Sequence, residues 1–400
     1  MVEWKEYTVA DVISTVIDYR GKTPKKLGGD WSDSGYRALS AKNIKTGKIV
    51  QVDSIRYVSE EMYKCWMKEE VQKEDILITS EAPFGQIYYW DSDEKIVLSQ
   101  RLFSIRVNQR FYPKYIYFYM TSSFFQAELD GRATGTTVVG LRQPELLKCK
   151  IYAPDYQEQK KIADILWCLE QKINNNEAIN NNLEQQAQTY FDELFIVNAD
   201  PNWSECTLSD IGSVVAGGTP SKSKPEYYAD QGIAWITPKD LSVNKSKFIS
   251  HGENDISELG FFKSSAAKMP AGTILFSSRA PIGYIAIAQN EVTTNQGFKS
   301  VIPNENIGTA YLYFLLKNLL PTIEGMASGS TFKEISGSAM KSVPTVMPDA
   351  DNIQLFSSFC EPVFKKQEIL EAENQRLSAL RDSLLPKLMS GELDVSDIDL

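Results

Sequence analysis

The chain is written twice. Trp4-Lys5-Glu6-Tyr7-Thr8-Val9-Ala10-Asp11-Val12 returns, offset by 199, as Trp203-Ser204-Glu205-Cys206-Thr207-Leu208-Ser209-Asp210-Ile211. Gly21-Lys22-Thr23-Pro24 returns as Gly217-Gly218-Thr219-Pro220. Leu77-Ile78-Thr79-Ser80-Glu81-Ala82-Pro83-Phe84-Gly85 returns as Leu275-Phe276-Ser277-Ser278-Arg279-Ala280-Pro281-Ile282-Gly283. Tyr115-Ile116-Tyr117-Phe118 recurs as Tyr311-Leu312-Tyr313-Phe314, and Ala133-Thr134-Gly135-Thr136-Thr137 as Ala327-Ser328-Gly329-Ser330-Thr331. Landmarks in unbroken order with a drifting offset are the trace of duplication followed by loop changes. The period is too long for a solenoid repeat and fits two whole domains, which predicts a pseudo-twofold molecule.

Four hundred residues, 42% hydrophobic and 24% charged, suffice for two cores. The five cysteines, Cys65, Cys149, Cys168, Cys206 and Cys360, form no Cys-x-x-Cys pair. That argues against a disulfide framework and a zinc site, and makes the cytoplasm the expected compartment. No apolar run approaches the roughly 18 residues of a membrane span, and the N-terminus lacks a signal-peptide pattern. His251, the only histidine, reads as a surface loop residue, so no metal site is expected.

A net charge of -10 argues against nucleic-acid binding until it is divided among segments. Residues 1–154 carry 22 basic and 20 acidic side chains, and residues 200–347 carry 12 and 13. Residues 155–199 carry 3 and 8, and residues 348–400 carry 5 and 11. The acid is concentrated in the segments that close each repeat. Two DNA-facing domains remain compatible with the total, although neither is basic enough to hold phosphate tightly alone.

Each repeat reads as a mixed α+β domain followed by a long helix. Short strands and turns punctuated by Gly, Pro, Asn and Asp precede a buried helix over Tyr115–Phe125 or Tyr311–Leu320. A small-residue turn and then Pro154 or Pro348 end the domain. The reading is domains over 1–154 and 200–347, with helices over 155–199 and 348–400. In the first helix, Ile162, Leu166, Leu169, Ile173, Asn176, Asn180, Leu183, Ala187, Tyr190 and Leu194 follow steps of four and three. Phe356, Cys360, Val363, Gln367, Leu370, Asn374, Leu377, Arg381, Leu384 and Leu388 repeat the pattern in the second. That is a coiled-coil seam. Helices lying only on their own domains are the alternative, but Asn180 and Asn374 share a seam position, and buried Asn fixes register at a cost in stability. The two helices are expected to pack antiparallel, a rod of roughly 55 to 60 Å at about 1.5 Å per residue.

Gly-x-Thr-Pro, Leu-x-x-Ser-x-x-Pro-x-Gly, Ala-x-Gly-[Ser/Thr] and then Pro before a Gln-containing helix (Gln157-Glu158-Gln159-Lys160-Lys161-Ile162), all in duplicate, resemble the specificity subunit of type I restriction-modification systems. The resemblance covers essentially the whole chain and implies two target-recognition domains, each reading half of a split double-stranded DNA site. It implies helices that set the spacing and dock two modification methyltransferase subunits, to which restriction endonuclease/translocase subunits add. S-adenosylmethionine, ATP and Mg are then expected only on those partners, with no cofactor on this chain. The second helix departs from the pattern, opening with Ile353-Gln354-Leu355-Phe356.

Catalytic motifs are missing. The chain contains neither Asn- nor Asp-Pro-Pro-Tyr, no Gly-x-Gly-x-x-Gly loop and no Walker loop; Gly21-Lys22-Thr23 has Val16 where the loop needs its first glycine. The acidic pairs Glu74-Asp75 and Asp91-Ser92-Asp93-Glu94 read as solvated turns, since Ala271-Gly272 stands opposite the first. A non-catalytic binding protein follows.

Candidate DNA contacts are long basic or amide side chains near loops. In the first repeat these are Arg20, Lys22, Thr23, Lys25 and Lys26 around the Thr-Pro turn, then Lys42, Asn43, Lys45 and Lys48, and Arg132, Thr136, Thr137 and Arg142 at the small-residue turn. In the second they are Thr219, Ser221, Lys222 and Lys224, then Lys239, Lys245 and Lys247, with Arg279, Ser330, Thr331 and Lys333. A helix beginning at the small-residue turn would offer N–H groups to a phosphate; a plain helix cap is the alternative there. The acidic helix residues Glu158, Asp164, Glu170, Glu177, Glu184, Glu361, Glu368, Glu371 and Asp382 are expected to be exposed and to attract basic partner surfaces. A duplicated coiled-coil interaction scaffold without a DNA role is the competing reading, and a standalone nuclease a more distant one.

Overall fold

The computed structural model describes residues 3–135, 139–329 and 333–395. Two compact units emerge, Met1–Ile173 with Arg376–Leu400, and Asn174–Gln375. Each holds one globular repeat and a run of each long helix.

In the first unit, strand Lys5–Thr8 pairs antiparallel with Lys150–Ala153 and closes the globular part. Thr8 then caps a short helix in a reciprocal box with Asp11. The central sheet is antiparallel, ordered Ile13–Asp18, Leu102–Val107, Ile76–Thr79, Ile87–Tyr89. Alternation divides its two faces. Ile76 and Ile78 enter a core with Phe103, Tyr115 and Phe118, while Leu77 faces a second core around Trp66 and Trp90. That second core lies under a mixed three-stranded sheet, Arg56–Val58, Tyr36–Leu39, Ile96–Leu98.

The second unit repeats the scheme. Ser204–Thr207 pairs with Pro344–Met347. Ile274 and Phe276 face the core built on Tyr311 and Phe314, and Leu275 faces the one containing Ile236 and Phe298. The duplication reaches single hydrogen bonds: Val9 N donates to Cys149 O, and Leu208 N to Val343 O, both at 2.9 Å. Both Pro-x-Gly turns contain a cis Ala–Pro bond, at Ala82–Pro83 and Ala280–Pro281.

The expected buried helix over Tyr115–Phe125 is two helices, Pro113–Thr121 and Ser123–Arg132, broken at Ser122, whose hydroxyl caps the second. The second repeat breaks likewise, into Gly308–Asn318 and Leu320–Met326. Apolar density reports burial and is blind to a one-residue break.

The central helix is Tyr156–Asp192 and the C-terminal helix Ala350–Ser390. They run antiparallel within each unit. In the first, Glu170 pairs with Arg381 at 2.7 Å, and Ile162, Ala163 and Leu166 share a core with Leu388 and Met389. In the second, Tyr190 packs on Phe356 and Phe359. The helices also lie on their own domains, since Phe191 and Phe356 pack against Phe314. Both packings thus occur together. At the seam, Asn176 Nδ2 donates to Asn374 Oδ1 at 2.9 Å and to Glu373 at 2.8 Å. Asn180 offers its backbone carbonyl to Gln367 Nε2 at 3.2 Å.

The acidic faces are less open than expected. Glu158 is buried, and burial raises its pKa. Asp164 accepts from the Tyr112 hydroxyl. Glu371 accepts from the backbone N–H groups of Lys247 and Phe248, at 2.9 and 3.2 Å, and burial raises its pKa. Glu184 binds Lys247 at 2.8 Å and Lys317 at 2.6 Å. Burial works to raise the Glu184 pKa, but the two lysines outweigh it and hold the carboxyl below its ordinary value. Glu361 and Asp382 are exposed, as expected.

Candidate nucleic-acid interface

Three loops converge at one edge of each unit, and backbone bonds hold them together. Ser80 N donates to Arg101 O at 2.9 Å and Leu141 N to Ser80 O at 3.0 Å, which ties the Ala82–Pro83 turn to the Gln100–Arg101 loop and to the small-residue turn. Ser278 N to Gly297 O at 2.7 Å and Ile335 N to Ser278 O at 3.1 Å are the same bonds in the second unit. The scaffold is shared, and its side chains are rearranged. Glu81 pairs with Arg101 at 3.0 Å in the first unit, while Arg279 stands opposite Glu81 in the second and pairs with Glu334 at 3.3 Å. Gly297 and Gly140 occupy the places that Arg101 and Glu334 hold in the other copy.

The basic candidates divide into tethered and available groups. Arg20 is held by Asp18 at 2.8 Å, donates to Leu141 O at 3.2 Å and lies 3.8 Å over the Phe103 ring. Lys22 and Lys26 donate to the carbonyls of Trp66 and Gly21. Thr23 caps the short helix Pro24–Leu27. Arg132 pairs with Glu128, Lys239 with Glu253, and Lys224 with Glu226. Thr219 donates to Gln296, and Ser221 contacts Ser223. Lys25, Lys42, Lys45, Arg142, Lys222, Lys245 and Lys333 are exposed. Thr136, Thr137, Ser330 and Thr331 lie outside the described residues.

Two candidates are corrected outright. Asn43 is fully buried: its Oδ1 accepts from Ser40, and its Nδ2 donates to Ser54 Oγ and to the Val50 and Gln51 carbonyls, so it cannot reach a base. Lys247 is buried against Phe364, Tyr313, Glu184 and Gln367, and desolvation pulls its pKa down to about 8. It pins the domain to the helices. Among the described residues of the small-residue turns, no helix begins. They close as antiparallel bridges, Thr134 with Gly140 and Ser328 with Glu334, and five-residue helices start only at Gln143 and Gly337.

The folded chain also brings Arg56, Gln100 and Arg101, which sequence reasoning did not single out, to one opening of the first unit. Arg101 adopts φ 64°, and the signal available was its position one residue before a duplicated strand. Asp75 is not a solvated turn residue: it is buried and paired with Arg106 at 2.9 Å, and burial outweighs that pairing to raise its pKa. Among the described residues no three His, Cys, Asp or Glu side chains gather as a metal site, and no helix is long and apolar enough to cross a membrane.

The fold is thus that of a duplicated α+β chain with matched loop edges, each unit closed by paired runs of two long helices. Residues 1–185 and 201–379 match the type I restriction modification DNA specificity domain, and the chain belongs to that family, the specificity subunits of type I restriction-modification systems. It is 40% identical over 193 residues to the MjaIX specificity subunit of Methanocaldococcus jannaschii, a match taking in 46% of this chain and 44% of that one. It is 24% identical over 481 aligned positions to the HindI specificity subunit of Haemophilus influenzae, covering 98% of this chain and 100% of the other. The crystal structure of the type I S subunit from M. genitalium shares the fold, with a TM-score of 0.63 at 18% identity, covering 97% of this chain and 96% of that one.

Proposed function

We propose that the chain is a non-catalytic DNA-reading subunit that recognises an asymmetric, two-part site on double-stranded DNA and docks two modification methyltransferase subunits, to which restriction endonuclease/translocase subunits add. The observation that carries this is the pair of matched loop edges: the same backbone bonds in both units, with different charged side chains mounted on them. A conserved frame with exchanged side chains suits two readers of two different half-sites, because base-edge contacts specify sequence while phosphate contacts only position. Exposed Lys25, Lys42, Lys45, Arg142, Lys222, Lys245 and Lys333 serve the phosphates. S-adenosylmethionine, ATP and Mg act on the partner subunits, in the cytoplasm.

The helices carry the spacing and the docking surface. Their remaining exposed acids, such as Glu361 and Asp382, favour a basic partner face. The test is DNA binding by the purified chain with and without its methyltransferase subunits across a salt series. Sequence-specific affinity is expected only with the subunits added. Equally tight specific binding by the chain alone would overturn the docking half of the reading.

A further inference from the structure

The first unit has a cleft whose lining side chains are exchanged in the second. It measures about 310 Å³ and is walled by Trp31, Lys42, Arg56, Ala82, Gln100 and Arg101. The Arg56 guanidinium lies 5.1 Å from the Trp31 ring, and Asn43 forms part of the lining, bonded to both Ser40 and Ser54. Three cations thus face one opening, and the only ion pair the described residues show for them is Glu81 with Arg101. Glu81 meets Arg101 at Nε, and the Arg101 side chain remains about half exposed, at 48%.

Strand register identifies the counterparts in the second unit. Tyr36 pairs with Val58 as Ile233 pairs with Ile256, so Asn254 replaces Arg56. The Ser32–Tyr57 bridge corresponds to Ala229–Asp255, so Tyr228 replaces Trp31. Gly297 replaces Arg101 through the shared bond to Ser80 or Ser278. Lys239, opposite Lys42, is held by Glu253 at 2.6 Å. A Cβ on Gly297 would stand 2.9 Å from the Pro238 ring, where the first unit has the smaller Ala41, so the second unit has no room for a side chain there.

We propose that this cleft receives the edge of a guanine-containing base pair in the half-site read by the first unit, with Arg101 and Gln100 as base readers and Lys42 and Arg56 on the flanking phosphates. The inference rests on the DNA-reading function proposed above. An arginine edge matches the O6 and N7 acceptors of guanine in the major groove, and an adjacent glutamine amide serves a neighbouring position. A lysine bonds a phosphate without reading sequence.

The test is methylation mapping on genomic DNA with the full chain assembled with its methyltransferase subunits, comparing wild type, Arg101→Asn, Gln100→Ala and Lys42→Ala. Asn tolerates the left-handed backbone at position 101, and unchanged thermal midpoints establish folding. Arg101→Asn should relax one guanine position in one block of the site, losing roughly tenfold or more discrimination. Lys42→Ala should slow methylation at every site with the consensus intact and lower the salt slope by about one. An unchanged consensus in both Arg101→Asn and Gln100→Ala, a uniform loss without relaxation in Arg101→Asn, or relaxation in the block set by the second unit would overturn the assignment. If the wild-type complex itself yields no sequence-specific methylation, the DNA-reading function fails instead.

Discussion

Replacing Glu184 by Gln should destabilise the second unit severely. Lys247 Nζ is buried, 2.8 Å from Glu184 and 3.0 Å from Gln367 Oε1. Glu184→Gln leaves that ammonium in an aromatic pocket with only neutral acceptors. Breaking one side of a buried pair costs about 3–5 kcal/mol, which for a unit of this size lowers the midpoint by roughly 6 to 20 °C. Adding Lys247→Met removes the stranded cation, and Lys317, partly exposed, turns to solvent. The double variant should recover to within about 2 kcal/mol of wild type. Titration gives a second readout. The Lys247 pKa is about 8 in the folded chain against an ordinary 10.5. Below pH 8 the lysine is protonated in both states and contributes no pH dependence. Above pH 8 the unfolded chain binds the extra proton, so this contribution to stability rises with pH, by about 2 kcal/mol between pH 8 and 9.5. Calorimetry of the full chain would read both effects. A midpoint unchanged in Glu184→Gln, a double variant as unstable as the single one, or a pH slope that survives Lys247→Met would refute the reasoning.

Asn43→Ala should cost about 1–3 kcal/mol by orphaning Ser40 and Ser54, seen as a lower melting midpoint. Inserting four residues near Asn180 lengthens the central helix by about 6 Å, and methylation mapping should show the gap between half-sites longer by one or two base pairs, or specific methylation abolished. An unchanged gap would remove the helices as the ruler.

The duplication was legible because periodicity is written into the order of residues along the chain. The helix seam was legible for the same reason, but its polar register was not. Asn176, Asn180 and Asn374 are chemically alike, and which of them meet depends on how each domain seats its helix. The burial of Lys247 and Asn43 was illegible because a lysine or asparagine in a turn looks the same whether water or a Phe364 ring lies above it. The cleft around Arg101 was missed because its walls come from segments up to 70 residues apart, joined only by strand register.

The central claim is that each unit reads one half of a split DNA site. Its most direct test is methylation mapping by the assembled complex before and after residues 1–154 are exchanged for the first unit of another family member. The account predicts an asymmetric site of two specified blocks around an unspecified gap, with the exchange altering one block and leaving the other and the gap intact. A palindromic site, or an exchange that alters both blocks, would contradict it.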